Sequence, residues 1–440
     1  MKKTNATLIM AGLVILCAVS WFSVFRSQTA EAKSYSNYIE TARNCYKKEI
    51  YVDAVSQYKK ALEINTQNYE LTLELADAYY KLGDTEDFIK QCSNAIAIDN
   101  SNEQAYLKLT DYYINNKRYK AALDLLKKAT KVKNREQIDS LLGQLKYQTQ
   151  LQYVSGSEVG NWHNGGSVNL VSYKYKDKWG IITSAGKKLL KPQYDYIGAY
   201  DVETGILPCS INGEYYYINS EGYKKLVGDE KYEYLGSFGN GLAPAKRNGM
   251  YGYINTKFEE KNFEYEYAGA FANNVAAVKH NGKWGLIDKN LKMVTGFDYD
   301  GILVDSDGFC SLYNVIVAVQ NGKYVFINKE GKKVSDNQYE EAKMQASEDG
   351  AIAVKINGKW GFADSKGNKI IDGQYEDAES FSLGLAPVKK NSDWGYINLQ
   401  NEMVINADYT HAGVFCSDGT ALIQQGELWN IITLYEYTKK

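Results

Sequence analysis

Carboxylates are the side chains of this chain with the widest chemical scope. Asp and Glu together number 53, and Asp298, Asp300, Asp305 and Asp307 stand close together. Two carboxylates facing a glycosidic bond would make a hydrolase, one serving as acid and the other as base or nucleophile. Several in one loop would suit a calcium ion. Nothing in the spacing selects a pair, so the same residues also read as solvated surface. Sulfur and imidazole offer less. Cys17, Cys45, Cys92, Cys209, Cys310 and Cys416 are scattered without a CxxC pair, and the histidines are only His163, His280 and His411. That pattern speaks against a zinc cluster and leaves the cysteines as small buried apolar residues. No nucleophile elbow, zincin helix or phosphate loop is present. The Gly-rich stretch from Gly236 to Gly241 joins two repeats and does not open a helix. No cofactor or metal is called for.

Lys and Arg, at 51, nearly balance the acids for a net charge of −2, so nothing marks a nucleic-acid partner. Tyr (38) far outnumbers Phe (13), and Gly (37) outnumbers Pro (4), which suits many short hairpins with amphipathic aromatic faces. The tyrosines and tryptophans recur in order. One aromatic, usually followed by Gly, stands at Trp179, Tyr215, Tyr251, Trp284, Tyr324, Trp360, Trp394 and Trp429. The longest step, Trp284 to Tyr324, contains the Asp298–Asp307 cluster. Such a period means an array of one small motif.

Each unit reads as three strokes. Ala351 to Ile356 alternates apolar and polar, Asn357-Gly358 turns, and Lys359 to Ala363 carries the aromatic. After a second turn, Asp364 to Gly367, come Asn368 to Ile371 and Gln374-Tyr375-Glu376. Asn-Gly before the aromatic recurs at Asn212, Asn248, Asn281 and Asn321 and predicts type I′ hairpins. The spacing Tyr-x5-Phe follows at Tyr232/Phe238, Tyr265/Phe271, Tyr375/Phe381 and Tyr409/Phe415, with a Gly-Leu-Ala-Pro connection to the next unit at Gly241 and Gly384. A three-stranded meander cannot bury its faces alone, so neighbours must stack. The eight aromatics then fill the gaps between sheets, or else form a ligand platform. Loss of the Gly at Tyr216, Val325 and Asn430 marks it as a packing allowance rather than a backbone necessity. The last unit stops short, whereas Tyr153 and Trp162 stand ahead of the first Trp-Gly, so the chain's two ends are expected to complete one sheet. That favours a β-propeller; the alternative is an open β superhelix.

The units Asn281 to Asp288 (NGKWGLID) and Asn357 to Asp364 (NGKWGFAD) resemble the bacterial WG-repeat family over residues 165–440. That family is defined by sequence more than by activity, so the resemblance implies an architecture and not a substrate.

Residues 34–150 instead carry apolar spacings of three and four, the mark of helices. Small residues recur at Ala42, Ala76 and Thr110, and at Ala61, Ala95 and Ala129, with Ala54, Phe88 and Ala122 between. Tyr79 and Tyr113 follow three places beyond the first series, where Cys45 stands in the first copy. This 34-residue period resembles the tetratricopeptide repeat; Phe88 is large where Ala is usual, and the closing Pro is missing. The resemblance implies a concave face for a peptide, lined by Arg43, Tyr46, Asp77, Tyr80 and Asp111. The same positions also suit the solvated side of a spacer. Glu136 to Leu151 is expected to cap the stack as a further helix.

Lys2 and Lys3 precede an uncharged apolar run from Leu8 to Phe25, close to the ~20 residues that span a bilayer. Residues 1–7 are then a cytoplasmic tail, 8–26 a single-pass anchor with Trp21 and Phe22 at its far interface, and the remainder extracytoplasmic. In the alternative, Ala30-Glu31-Ala32 is a cleavage site and the protein is secreted after removal near Ala32.

The expected fold class is therefore multidomain α + β: membrane helix, tetratricopeptide-like helices to residue 150, and an all-β array over 151–440. The expected function is a non-enzymatic interaction or scaffolding protein of the bacterial cell envelope, with protein partners. The alternative is a module binding cell-wall carbohydrate. A hydrolase with a funnel site is the weaker third.

Overall fold

The computed structural model describes residues 31–154, 158–163, 170–225 and 232–438. It comprises two units, to Lys146 and from Tyr147. The expected anchor at 8–26, Cys17 and Ala30 lie outside the described residues. Among the described residues no helix is long and apolar enough to cross a membrane.

The first unit is helical. Helix α1 covers 31–47, followed by α2 (Tyr51–Ile64), α3 (Tyr69–Leu82), α4 (Thr85–Ile98), α5 (Glu103–Asn115), α6 (Tyr119–Lys128) and α7 (Glu136–Leu145). Local chemistry sets the ends. Asn68, Asp84 and Asn102 accept backbone N–H bonds at the starts of α3, α4 and α5. Gly83, at φ 78°, closes α3 in the left-handed region. The small residues at 34-residue spacing are where the helices meet. Ala42, Ala76 and Thr110 are fully buried, as are Ala61, Ala95 and Ala129. The cap ends at Leu145, not at Leu151 as expected. Thr149–Tyr153 is a strand because the outer edge of Leu428–Leu434 has open backbone groups that a strand can satisfy and a helix cannot.

Among the described residues the second unit is a series of eight small antiparallel sheets, numbered here by the aromatic each carries, from Trp179 in sheet 1 to Trp429 in sheet 8. Each rests on a two-strand hairpin. Asn212, Asn248, Asn281, Asn321 and Asn357 all have positive φ, as do the glycines after them, which is the type I′ backbone. The expected three strands per unit need correcting. Sheets 1, 2, 3, 7 and 8 have four strands, and sheets 4, 5 and 6 have three. Past the repeat Tyr the chain crosses over and adds a two-residue strand to the next sheet. Tyr375 ends Lys369–Tyr375 of sheet 6, while Asp377–Ala378 belongs to sheet 7. Gly-Leu-Ala-Pro is likewise more than a connection: Leu242 and Leu385 open long strands.

Each apolar cluster of this unit is shared by two consecutive sheets. Phe362 of sheet 6 packs with Phe381 and Val388 of sheet 7, for example, and Tyr396 of sheet 7 with Phe415 and Ile432 of sheet 8. The two ends of this unit share a sheet, as expected. Thr149–Tyr153 pairs with Leu428–Leu434 in register Tyr153↔Asn430. One further cluster joins Leu422 and Ile431 of sheet 8 to Val171, Tyr173 and Ile182 of sheet 1. Trp162 lies in the first strand of sheet 1, opposite Val171.

Between sheets, the deepest ring is not the repeat aromatic but the residue two places on. Tyr217, Tyr253, Phe362 and Tyr396 are fully buried. Each meets the Phe of Tyr-x5-Phe from the next sheet, with ring centroids 5.0, 5.0, 4.7 and 4.9 Å apart. The phenols of Tyr217, Tyr253 and Tyr396 donate to the carbonyls of Gly236, Gly269 and Gly413 at 2.8, 3.0 and 2.9 Å. A buried ring thus keeps its polar tip satisfied while locking one sheet to its neighbour. Of the repeat aromatics, Trp360 and Trp394 are buried and the other six half-buried.

The Gly after the aromatic is explained by the third strand. In sheets 1, 3, 6 and 7 that strand bulges opposite the Gly. A Cβ on Gly361 would lie 2.4 Å from the Ile371 carbonyl, and one on Gly395 would lie 2.7 Å from Ala407 N. In sheet 8 the neighbour is Thr149–Tyr153, in even register, and Asn430 fits.

Candidate functional site

On the helical unit, two of the residues predicted for the concave face, Arg43 and Asp77, are rungs of a ladder across α1, α3 and α5. Arg43 of α1 forms a forked pair with Glu74 of α3, its Nη2 donating at 2.6 Å and Nε at 2.9 Å. Hydrogen bonding to Glu74 holds the guanidinium above its ordinary value. The next rung keeps the spacing and inverts the charges: Lys108 of α5 donates to Asp77 of α3 at 2.5 Å. A third rung from Asp111 would reach position 142, which is Leu in α7. Asp111 is exposed.

Tyr46 is half-buried edge-on to Tyr51 at 5.3 Å, and burial pushes its phenol above the ordinary range. Tyr80 is 49% exposed. It leans on Phe88 at 5.2 Å and Tyr112 at 6.5 Å, and Phe88 in turn touches Tyr112 at 5.3 Å. The large Phe88, buried where a small residue is usual, lies against both rings. The ladder partners Glu74 and Lys108 and the prop Phe88 escaped the sequence reading as site residues. The signal for the first two was present: both pairs are separated by 31, one turn short of the repeat.

On the β unit, the repeat aromatics meet the residues that head the short strands. Tyr196, Tyr215, Tyr234, Tyr251, Tyr267 and Trp284 form a continuous ribbon over sheets 2–4, each ring 5.0–5.9 Å from the next. Tyr196 and Tyr234 hydroxyls stand 3.4 Å apart. Burial, then Tyr234 and Asp307, raise the Tyr196 phenol well above its ordinary value.

In sheets 6–8 the corresponding layer is charged. Lys343 Nζ donates to Glu379 at 2.8 Å, lies 3.6 Å from Asp377 and sits 5.1 Å from the Trp360 ring centre. Burial pulls Lys343 down, but the two carboxylates outweigh it and the ammonium is held above its ordinary value. His411 touches Trp394 and Trp429 edge-on at 5.5 and 5.6 Å. Burial keeps that imidazole below its ordinary 6.5 despite Glu379 and Asp377. Nothing in the sequence marked these residues: Lys343 and Glu379 stand where sheets 2–4 carry Gly198, Gly236 and Gly269, and Asp377 and His411 stand where those sheets carry Tyr196, Tyr234 and Tyr267.

The Asp298–Asp307 cluster does not converge. Asp300 pairs with Lys283 at 2.6 Å, and Asp298 is exposed. Asp305 accepts from the backbone N–H groups of Asp307 and Phe309, each at 2.9 Å, and Asp307 is buried. The loop packs inward: the Gly308 carbonyl accepts from Ala270 N at 2.9 Å, and Asn273 Nδ2 donates to the Ser311 carbonyl at 2.8 Å. Among the described residues no three His, Cys, Asp or Glu side chains are placed to hold a metal ion. Cys45, Cys92, Cys209, Cys310 and Cys416 are all free thiols. Burial pushes Cys92, Cys209 and Cys310 up to about 12.

No curated protein matches the chain. Among solved structures, the helical unit is similar to the TPR2B domain of yeast Sti1 in its pHsp70 complex (23% identity, 25% of this chain and 94% of that one, TM-score 0.23). It is also similar to the second TPR domain of human RPAP3 in complex with an HSP70 peptide (18%, 27% and 99%, TM-score 0.24). Hsv2p of Kluyveromyces lactis aligns with 57% of this chain and 99% of its own at 9% identity and a TM-score of 0.35. A tetratricopeptide repeat model matches residues 49–93. The model of the WG containing repeat matches 179–215, 231–251, 251–284, 284–324, 326–360, 360–392 and 394–429. With more than half its length so matched, and a tetratricopeptide repeat segment ahead of the array, the chain belongs to the WG containing repeat family.

Proposed function

We propose that this protein is a non-enzymatic interaction scaffold of the bacterial cell envelope. Residues 8–26 anchor it in the membrane, the helical face receives a peptide, and the β array presents a second, wider surface. The observation that carries the reading is the contrast on the helical face between residues used up in packing and residues left over. Ala42, Ala76 and Phe88 are buried, whereas Tyr80 is half exposed and Asp111 exposed on α3 and α5. On the β unit, ribbon rings lean on one another, so their faces are spent within the protein. That favours a protein partner over a sugar, which would need an open ring face.

The array is read as a closed eight-bladed propeller. Support comes from the strand shared between its two ends and from the cluster linking sheet 8 to sheet 1, which together leave no end sheet bare. Affinity purification of the tagged chain from crosslinked, solubilised envelopes tests the function. One protein recovered with the intact chain, and lost with Tyr80→Ala, is the expected result. Recovery of the tagged chain from the cytosolic fraction, or partner capture unaltered by changes in either unit, would refute it.

A further inference from the structure

The charge left on the helical face after its internal pairing defines what it can attract. Equivalent positions in the copies read Glu40, Glu74 and Lys108 on one line and Arg43, Asp77 and Asp111 on the next. Both cations on these lines, Arg43 and Lys108, are committed to carboxylates of the neighbouring helix. On these two lines no cation is left to clamp the terminal carboxylate of a peptide; Lys47 and Lys81 lie outside them, one turn further along the first two copies. The third copy is left acidic for two reasons. Leu142 supplies no partner to Asp111, and Asn115 stands where the first two copies have Lys47 and Lys81. Beside it, the Tyr80 and Tyr112 rings form a ledge propped by Phe88. A carboxylate next to phenol faces is a favourable setting for a guanidinium or ammonium group, through Coulomb attraction and through the ring quadrupole.

We propose that the α1–α3–α5 face selects a peptide segment bearing a basic side chain, seated at Asp111 beside Tyr80, and rejects peptides that depend on a free terminal carboxylate. This rests on the peptide-groove reading above. The test is a positional-scanning array of acetylated, amidated decapeptides, with a parallel set ending in free carboxylate, probed with the full chain. Enrichment of Arg or Lys at one position, at least fivefold over Gln, is the expected result. Asp111→Asn, an exposed change that leaves the ladder intact, should abolish the enrichment, and added salt should shrink it. Preference for Glu or for the free carboxylate, or an unaltered Arg preference in Asp111→Asn, overturns the charge assignment alone, provided that Tyr80→Ala still weakens binding. Absence of any binding peptide, or binding indifferent to Tyr80→Ala, overturns the groove itself and this inference with it.

Discussion

The two units solve one problem, stacking copies of a motif that cannot fold alone, with opposite materials. The helical unit is joined by what its residues lack. Ala42, Ala76 and Ala95 are fully buried and let helix backbones approach. The β unit is joined by what its residues add, since Tyr217, Tyr253 and Tyr396 reach into the next sheet and hydrogen-bond to its backbone. Small residues impose little on the neighbouring surface, so the helical face keeps Tyr80 and Asp111 outside the packing. Large rings consume their surroundings, so the rings that lock one sheet to the next are internal. The proposed binding surface is accordingly more legible on the smaller unit.

Truncation should hurt the β unit most. Tyr253 is 0% exposed, and its hydroxyl is bonded to the Gly269 carbonyl, so Tyr253→Ala is expected to cost about 3–5 kcal/mol. Trp360→Ala falls in the same range, because that ring is only 6% exposed. Denaturant midpoints followed by aromatic fluorescence and far-UV dichroism check both. A midpoint unmoved by Tyr253→Ala would mean that sheets are not locked by these rings and would dissolve the comparison.

Enlargement should hurt the helical unit instead. Ala76 is 0% exposed, and Ala76→Leu should cost about 1–3 kcal/mol through overpacking. The array has one class of position with the same sensitivity. At Gly395 a Cβ would sit 2.7 Å from both Ala407 N and the Ile405 carbonyl, so Gly395→Ala is expected to cost about 1–3 kcal/mol. At the equivalent place in sheet 8, Asn430 faces Tyr153 without a bulge, and its Oδ1 has no partner among the described residues. Asn430→Ala adds no atom here and loses only the buried side-chain amide, whose Nδ2 donates to the Leu428 carbonyl at 3.3 Å, so its midpoint should fall by less. Equal losses at 395 and 430 would refute the bulge as the reason for the Gly.

How far these features could be read in advance follows the range of the interactions involved. Asn357-Gly358 and its equivalents announce their hairpins because positive φ is a property of two adjacent residues. The small residues of the helices announce themselves by period. The inter-sheet lock does not, since Tyr253 and Phe271 belong to different sheets and nothing local links them. The two-residue strands are equally hidden: Asp377-Ala378 is a strand only because Val388 and Lys389 lie alongside. Leu151 was drawn into a helix that ends at Leu145 because its strand partner, Ile432, is at the far end of the chain. The Lys343, Asp377 and Glu379 cluster was invisible for the same reason, being assembled from two sheets.

The smallest effect is the most diagnostic for the helical face. Arg43 and Glu74 are 57% and 29% exposed, so water screens their pair, and a double-mutant cycle should return only about 0.2–1 kcal/mol of coupling. Single changes are ambiguous, because Glu74 also accepts from the Tyr58 hydroxyl at 2.9 Å. Reversal of the rung resolves this. Arg43→Glu combined with Glu74→Arg recreates the polarity that Asp77 and Lys108 already show one copy later, so the double variant should recover most of what either single change loses. If the ladder is only a stability device, peptide selection will ignore the reversal. If its purpose is to remove cations from the groove, each single change frees a charge: Glu74→Gln releases Arg43 and should admit peptides with a free carboxylate, whereas the reversed pair should exclude them again. Affinity for the free-carboxylate peptide set across these variants separates the two roles, because only the second ties selectivity to pairing rather than to the total charge of the face.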